Sequence, residues 1–247
     1  MKTLELSENF EGYDFEVQIT NPVVNLTQTT VVYVHGQQAR NQHRKPKMVC
    51  EIATSLNSSF CWYELAGHSN NMEKYDTADI FTWINQLKYL LTYVITGNVI
   101  LVGSCLGGII SLFTAPMFKE RVLGVITLSA ADIDWRQKLL PPQQEELKTK
   151  GYTVFYLQDK RIPFKLTEKF ISSTEELRKL EHLNLSCPIH LMVGKNDPAV
   201  GVSDVLKLSE KISSPEIVVK IISNDNHGMR NLTSMKEVEA SLLSILK

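Results

Sequence analysis

The stretch NVILVGSCLGGIISLF, residues 98–113, decides the fold class of this chain. Its first part, NVILVG, is a continuous apolar run of the kind that is buried on both faces of a parallel sheet. Its second part, CLGGIISLF, is expected to form a helix that starts directly after the strand. Because nothing longer than a few residues separates the two, the sequence predicts a sharp strand-to-helix turn at residues 103–107.

This turn matches a Gly-x-nucleophile-x-Gly pattern, which lifts the side chain of its middle residue above the edge of a sheet. Gly103 and Gly107 set the frame of the elbow, because a Cβ at either position would clash in so tight a turn. Choosing Ser104 as the middle residue would need glycines one position earlier, where the chain has valine and leucine. The frame therefore predicts Cys105 as the nucleophile. The alternative is a buried cysteine in a glycine-rich turn.

A thiol suits this position chemically. The dipole and the free N–H groups of a helix N-terminus lower the pKa of a cysteine, and a nearby histidine lowers it further. The backbone amide of Leu106, directly after the nucleophile, is expected to help hold the oxyanion of a tetrahedral intermediate.

Strand-like runs and helical segments alternate along the rest of the chain, which predicts an α/β fold with a mostly parallel central sheet flanked by helices. No repeat or low-complexity linker divides it, so we expect a single domain over residues 1–247. The strand-like runs are 29–35, 60–65, 122–129, 187–194 and 216–223, and the helical segments are about 46–57, 76–95, 203–213 and 233–246.

Residues 131–182 interrupt this alternation. The segment is charged and rich in Pro and Gln, with helical character near 166–182 and one short strand-like run in GYTVFYLQ. Its length between two core strands is typical of an inserted cap or lid rather than of a bare loop. Its aromatic side chains would either line an acyl pocket or pack the cap onto the core.

A base for Cys105 and an acid that orients this base are expected on loops after later strands, in the chain order nucleophile, acid, histidine. Asp197 follows the strand-like run 187–194, and His227 follows the run 216–223. Sites in open α/β sheets collect at these carboxyl ends of strands. We therefore predict a Cys-Asp-His triad of Cys105, Asp197 and His227. Asp225 is interpreted as a turn former, and Asp132 is kept as an alternative acid.

Two early loops complete the predicted site. His35-Gly36-Gln37 follows the first strand-like run, and the amide of Gln37 is expected to be the second oxyanion donor. His35 is interpreted as ordering this loop, because His227 fits the position of the base better. Gly67-His68 is expected to shape its own loop.

Composition excludes several classes of function. The 26 basic and 27 acidic side chains are scattered, so no basic patch predicts binding to nucleic acid. The N-terminus has no apolar run of a signal peptide, and no stretch approaches the ~18 apolar residues of a membrane span, so stable membrane insertion is not expected. Four scattered cysteines without a CxxC pair favour a reduced cytoplasmic setting and no metal site. The oligomeric state is not readable.

Several short motifs together resemble the α/β-hydrolase superfamily over almost the whole chain: HG at 35–36, AGHS at 66–69, GSCLGG at 103–108 and GKNDPAV at 194–200. The region from about 160 to 230 is similar to small acyl-protein thioesterases and esterases of the α/β-hydrolase domain group, whose elbow carries serine. The GSCLGG string resembles the cysteine elbow of dienelactone hydrolases. The 92 residues from Cys105 to Asp197 argue against membership of that group, because they leave room for an inserted cap.

The resemblance implies hydrolysis of a small-molecule acyl ester or thioester through an acyl-enzyme, with no metal and no cofactor. The cysteine leaves two alternatives open. One is a catalytically impaired protein that binds its ligand without turnover, and the other is an acyltransferase that uses the same residues.

Overall fold

The computed structural model describes residues 1–24, 27–37, 44–156, 163–180 and 182–247. The strands in these ranges are β1 Lys2–Phe10, β2 Tyr13–Asn21, β3 Thr29–Val34, β4 Ser59–Tyr63, β5 Asn98–Ser104, β6 Val122–Leu128, β7 Tyr152–Tyr156, β8 Pro163–Thr167, β9 Leu183–Asn184, β10 Ile189–Gly194, β11 Ile212–Ser213 and β12 Ile217–Ile222. The α-helices are α1 Arg44–Ser55, α2 Ile80–Tyr89, α3 Leu106–Thr114, α4 Trp135–Lys138, α5 Pro141–Lys150, α6 Glu168–Arg178, α7 Val202–Glu210 and α8 Leu232–Ile245.

Eight strands form one central sheet in the order β1-β2-β4-β3-β5-β6-β10-β12. The six strands from β4 to β12 in this order pair in parallel, and β1 and β2 add an antiparallel edge. Helices cover both faces. The predicted α/β architecture with a mostly parallel sheet is confirmed.

The N-terminal hairpin was not predicted from the sequence. Its two strands pair from Lys2 opposite Asn21 to Phe10 opposite Tyr13. The turn consists of Glu11 and Gly12, whose φ angles of 50° and 84° suit the tight turns that match the twist of a hairpin. A sequence signal was present, because Phe15 and Val17 alternate with polar residues and are buried.

The central strands β3, β5, β6 and β10 are buried on both faces because helices pack against each side. On β5, the side chains of Ile100 and Val102 lie in the core beneath α1 and α8, whereas Leu101 lies in the larger core beneath α2 and α3. Neighbouring side chains of a strand alternate between faces. Ser104 therefore lies on the same face as Val102, on the side of α1.

The segment predicted as a cap connects β6 to β9. Its described residues form α4, α5, the antiparallel hairpin of β7 and β8, and α6. Residues 157–162 and 181 of this segment lie outside the described residues. Arg136 joins α4 to α6 through salt bridges of 2.6 Å to both Glu168 and Glu175. Its function as a lid stays a prediction.

Parallel pairing brings the carboxyl ends of β3, β5, β6, β10 and β12 to one edge of the sheet. All the loops that carry predicted site residues leave the sheet at this edge. None of the helices in the described ranges is long and apolar enough to cross a bilayer.

Candidate active site

The predicted elbow is a strand-to-helix turn between β5 and α3, with Cys105 as the residue that precedes the helix. The backbone of Cys105 has φ 51° and ψ −117°, a conformation that residues with a side chain rarely adopt. Two hydrogen bonds hold it there: the Cys105 amide donates to the carbonyl of Leu128 (2.9 Å), and the Gly108 amide donates to the carbonyl of Cys105 (3.0 Å). A strained residue fixed in this way indicates a functional position.

Glycines are required on both sides of Cys105. A Cβ on Gly103 would overlap the carbonyl oxygen of Gly107, and a Cβ on Gly107 would overlap the carbonyl oxygen of Val34. The sequence analysis predicted a clash at these same two positions, Gly103 and Gly107.

Asp197 and His227 meet at the same edge, although 30 residues separate them in the chain. The His227 Nδ1 lies 2.9 Å from Asp197 Oδ2 and 3.1 Å from Oδ1. The Asp197 side chain is fully buried, and its Oδ1 also accepts hydrogen bonds from the amides of Ala199 and Val200. Burial alone would raise the pKa of Asp197, but the bonds from His227 and from these amides hold it below its ordinary value.

The His227 imidazole also interacts with the Cys105 thiol as a hydrogen-bond partner. Burial acts to raise the pKa of Cys105, but the charge of His227, its hydrogen bond and the amide of Leu106 outweigh burial and lower it. Burial acts to lower the pKa of His227, yet the negative charge of Cys105 and the bond to Asp197 raise it. The two groups therefore favour a thiolate–imidazolium pair, which is the nucleophilic form of a cysteine.

The loop after β3 lies against the elbow. A Cβ built on Gly36 would come within 3.3 Å of the Cys105 Cβ and 3.2 Å of the Ser104 carbonyl oxygen. The Nε2 of His35 accepts a hydrogen bond from the Leu65 amide (3.0 Å), which assigns the ring proton to Nδ1 and makes Nδ1 the donor to the Gly36 carbonyl (2.7 Å). This bond turns the Gly36 carbonyl toward His35. The N–H of Gln37 belongs to the same peptide group as this carbonyl. It therefore points in the opposite direction, away from His35.

The Gln37 side chain anchors the same loop by donating to the Tyr75 hydroxyl (2.6 Å). His68 lies beside this loop as a buried neutral ring, because burial lowers its pKa to about 3. It packs edge-on against His35, Tyr75 and Trp83. His35 and His68 thus both make hydrogen bonds to the backbone of these loops, as expected for residues that shape a loop.

The two competing carboxylates lie in other networks. Asp225 accepts hydrogen bonds from the Asn226 amide (2.9 Å) and from the Ser234 hydroxyl (2.5 Å), in the turn before α8. Asp132 forms salt bridges with Lys211 (2.7 Å) and Arg178 (3.1 Å). Of the three candidate acids, Asp197 is the one that the structure places against His227.

An open cleft begins at Cys105, with about 450 Å³ of empty space that includes its solvent-filled mouth. Its walls come from the elbow helix and from the segment predicted as a cap, and nearly all of the lining side chains are apolar. The aromatic rings of Trp135 and Phe170 lie in this wall with centroids 6.2 Å apart. Asp132 is the one ionisable carboxylate in the lining. A cleft with this apolar lining suits an apolar acyl group.

Sequence reasoning missed two contributions to the site. Thr174 and Leu177 of α6 line the cleft, but the helical pattern of a charged segment does not show which face meets the core. Lys45 is buried behind the elbow and donates to Ser104. No motif marks a buried lysine, since most lysines in helices are exposed.

Comparison with known proteins places this geometry in a family. The family model of the alpha/beta hydrolase fold matches residues 45–178, more than half of the chain. The chain is 26% identical over 205 residues to the mouse (Mus musculus) mitochondrial palmitoyl-protein thioesterase ABHD10, covering 81% of this chain and 69% of that protein.

Two solved structures show the same fold. The mouse alpha/beta hydrolase domain-containing protein 10 superposes with a TM-score of 0.85 at 21% identity, covering 98% of both chains. Est1E from Butyrivibrio proteoclasticus, with ferulic acid bound, gives a TM-score of 0.78 at 16% identity and covers 98% of this chain and 99% of that chain. From the family match, the sheet order and the elbow between β5 and α3, we conclude that this chain belongs to the α/β-hydrolase fold family.

Proposed function

We propose that this protein hydrolyses acyl thioesters and activated carboxylic esters through a covalent acyl-enzyme on Cys105. The observation that carries the proposal is the contact of three side chains at the mouth of an apolar cleft: Cys105 with His227, and His227 with Asp197. The names of the relatives support the same class of reaction, since one is a palmitoyl-protein thioesterase and another structure carries a ferulic acid ligand.

In the first half of the reaction the Cys105 thiolate attacks the carbonyl carbon and forms a C–S bond. The oxyanion of the tetrahedral intermediate is held by the amide of Leu106 and, in our proposal, by the amide of Gln37. When the intermediate collapses, the bond to the leaving group breaks. The His227 imidazolium then gives its proton to the departing thiolate or alkoxide.

In the second half the neutral His227 takes a proton from water, and the resulting hydroxide attacks the acyl–Cys105 thioester. Collapse of this intermediate releases the carboxylic acid and returns the thiolate, with the proton on His227. Asp197 keeps the imidazole in one orientation and stabilises its charged form throughout.

Sulfur at position 105 favours thioesters over alkyl esters. The tetrahedral intermediate expels the less basic of its two leaving groups, and a thiolate with a parent pKa of about 8.5 leaves far more readily than an alkoxide with the basicity of hydroxide, about 15.7. With an alkyl ester the intermediate therefore mostly expels Cys105 again. With a thioester, Cys105 and the thiolate of the substrate are leaving groups of nearly equal basicity, so the intermediate also expels the thiolate of the substrate and acylation proceeds.

We infer that the thiol works in a reducing compartment, and the cytoplasm fits the four free cysteines. The mouse relative is named as mitochondrial. Fractionation of cells that express the tagged full chain decides between these two compartments.

The proposal is tested by a panel of acyl thioesters, p-nitrophenyl esters and alkyl esters of graded chain length. We expect the wild type to turn over the first two classes, and Cys105→Ala to lose turnover of both. A gain by Cys105→Ser on every class would indicate a scaffold built for serine, and a loss would indicate a true cysteine hydrolase. Turnover by Cys105→Ala equal to that of the wild type would refute the proposal.

The same panel separates the two alternatives. Acylation of Cys105 without release would identify an impaired protein that retains its ligand. Formation of new esters or amides when alcohols or amines are added would identify an acyltransferase.

A further inference from the structure

Lys45 is a buried cation that the proposed reaction does not use. It lies in the first turn of α1, and only 8% of its surface is exposed. Its Nζ donates a hydrogen bond of 2.7 Å to the Ser104 hydroxyl, directly before Cys105. One neutral hydroxyl compensates poorly for the hydration that a buried ammonium loses. Further stabilisation of this charge has to come from anionic groups around it.

The groups that act on Lys45 come from three parts of the chain. They are Cys105 at the elbow, Asp197 after β10, and Asp225 and Arg230 after β12. Tyr33 of β3 also hydrogen-bonds Ser104 and completes the cluster on the α1 side of the sheet.

Burial lowers the pKa of Lys45 to about 8, and the negative charge of Cys105 is the strongest influence that opposes this effect. The influence is mutual, since Lys45 also contributes to lowering the pKa of Cys105.

We propose that Lys45 is a positioning residue whose charge stabilises the thiolate form of Cys105. Asp197 and Asp225 supply negative charge to this cluster, and His227 and Arg230 supply positive charge. Lys45 adds a further positive charge from behind the elbow, where its ammonium holds the Ser104 hydroxyl directly before Cys105. The inference rests on the proposed role of Cys105 as nucleophile.

Alkylation of Cys105 by iodoacetamide tests this inference without any substrate, because only the thiolate reacts. The rate is followed against pH by mass spectrometry of the Cys105 peptide, which separates it from the other three cysteines. We expect Lys45→Met to move the midpoint about one pH unit upward, so that alkylation on the acidic side is roughly tenfold slower. The plateau rate at alkaline pH should not fall, because the thiol is then fully ionised and a thiolate of higher pKa is the stronger nucleophile.

Three further variants separate charge from packing. Lys45→Arg keeps the charge and should retain a midpoint near that of the wild type. Ser104→Ala removes the hydrogen bond but leaves the ammonium, so its midpoint should move much less than that of Lys45→Met. Lys220→Met removes a partly buried lysine of β12, paired with Glu237 at 2.8 Å, and serves as the matched control.

An unchanged midpoint in Lys45→Met would overturn the inference, and so would a lower plateau at the same midpoint, which is the sign of a damaged elbow. Equal shifts in Ser104→Ala and Lys45→Met would also overturn it, since the hydrogen bond and not the charge would then be responsible. If Lys45→Met does not fold, Lys45→Gln takes its place as the neutral variant, with the same expected shift and the same contrary outcomes. A Lys45-dependent midpoint in a protein that hydrolyses nothing would refute the proposed function alone.

Discussion

Cys105 combines a strained backbone with a side chain whose charge depends on its neighbours. Its positive φ costs on the order of 1–3 kcal/mol, which the surrounding hydrogen bonds offset. In the proposed mechanism, the lowered pKa of its thiol and the raised pKa of His227 supply the thiolate and the imidazolium before the substrate arrives. A serine at this position would have to give up its proton during the attack.

This difference predicts the pH dependence of kcat/KM. In the wild type the rate should rise with pH as the Cys105 thiolate forms, below the ordinary range of a thiol. It should fall again as the His227 imidazolium loses its proton, above the ordinary value for histidine. In Cys105→Ser the imidazole must be neutral to act as a base. The rate of this variant should therefore rise as the pH passes the pKa of His227, and it should not fall again at alkaline pH.

Measured profiles on an activated ester check this prediction. Identical profiles for the wild type and for Cys105→Ser would contradict the thiolate–imidazolium pair.

Among the elements, the elbow is the one that the sequence predicts best. The apolar run of β5, the two glycines and the apolar helix α3 are adjacent in the chain, so their geometry follows from local sterics. The packing of α6 over the cleft cannot be predicted in this way. Its contacts at Thr174 and Leu177 depend on a hairpin and on loops whose sequence carries little periodicity.

The elbow prediction concerns Gly107. Because its Cβ would overlap the carbonyl oxygen of Val34, Gly107→Ala should destabilise the protein by at least 1–3 kcal/mol, the usual range for overpacking. Gly201→Ala is the matched control, since a Cβ at residue 201, directly before α7, would have its first neighbour, the Asp204 side chain, at 3.2 Å. Thermal unfolding of both variants measures the difference. Equal melting temperatures would show that the turn tolerates a side chain.

The cap prediction concerns α6. Thr174 lines the cleft, so Thr174→Phe should fill part of it and lower kcat/KM for long acyl chains at least tenfold more than for acetyl substrates. Tyr93→Phe, at a residue that is 74% exposed, is the control. A uniform loss across chain lengths would show that the acyl group binds elsewhere.

At the scale of the whole molecule, salt bridges tie the end of the segment 131–182 back to its beginning, directly after β6. Arg178 of α6 reaches two aspartates that follow β6, with its Nη1 2.7 Å from Asp134 and its Nε 3.1 Å from Asp132. Burial acts to raise the pKa of Asp134, but the bond from Arg178 outweighs burial and holds it below its ordinary value. A depressed pKa contributes stability that is present above about pH 4 and is lost as the pH falls through the folded-state pKa.

Arg178→Met should therefore lower the melting temperature at neutral pH, by a loss of about 1–2 kcal/mol that lies between the values for exposed and buried pairs. The difference from the wild type should shrink at acidic pH, as the pH falls through the folded-state pKa of Asp134. Lys150→Met removes the exposed pair with Glu146 and should cost less than about 0.5 kcal/mol. A difference that stays constant from neutral to acidic pH would contradict this account of the network.

Long-range pairing limited the sequence analysis at this scale. Asp197 and His227 could be selected because each directly follows an apolar strand, and parallel strands bring such positions to one edge. The contact of Lys45 with Ser104 could not be predicted in this way. Arg44–Ser55 has the pattern of an ordinary amphipathic helix, and 59 residues separate Lys45 from Ser104 in the chain. The N-terminal hairpin needed its pairing with β4 to be recognised as part of the same sheet.

In the proposed mechanism the acyl group passes through the sulfur of Cys105. Acid-quenched mass spectrometry in the first turnovers of an acyl thioester detects this intermediate. We expect one added acyl mass on the peptide that holds Cys105, released by hydroxylamine and lost at the rate of turnover. Turnover with no acyl group on Cys105, or with the acyl group on Ser104, would contradict it.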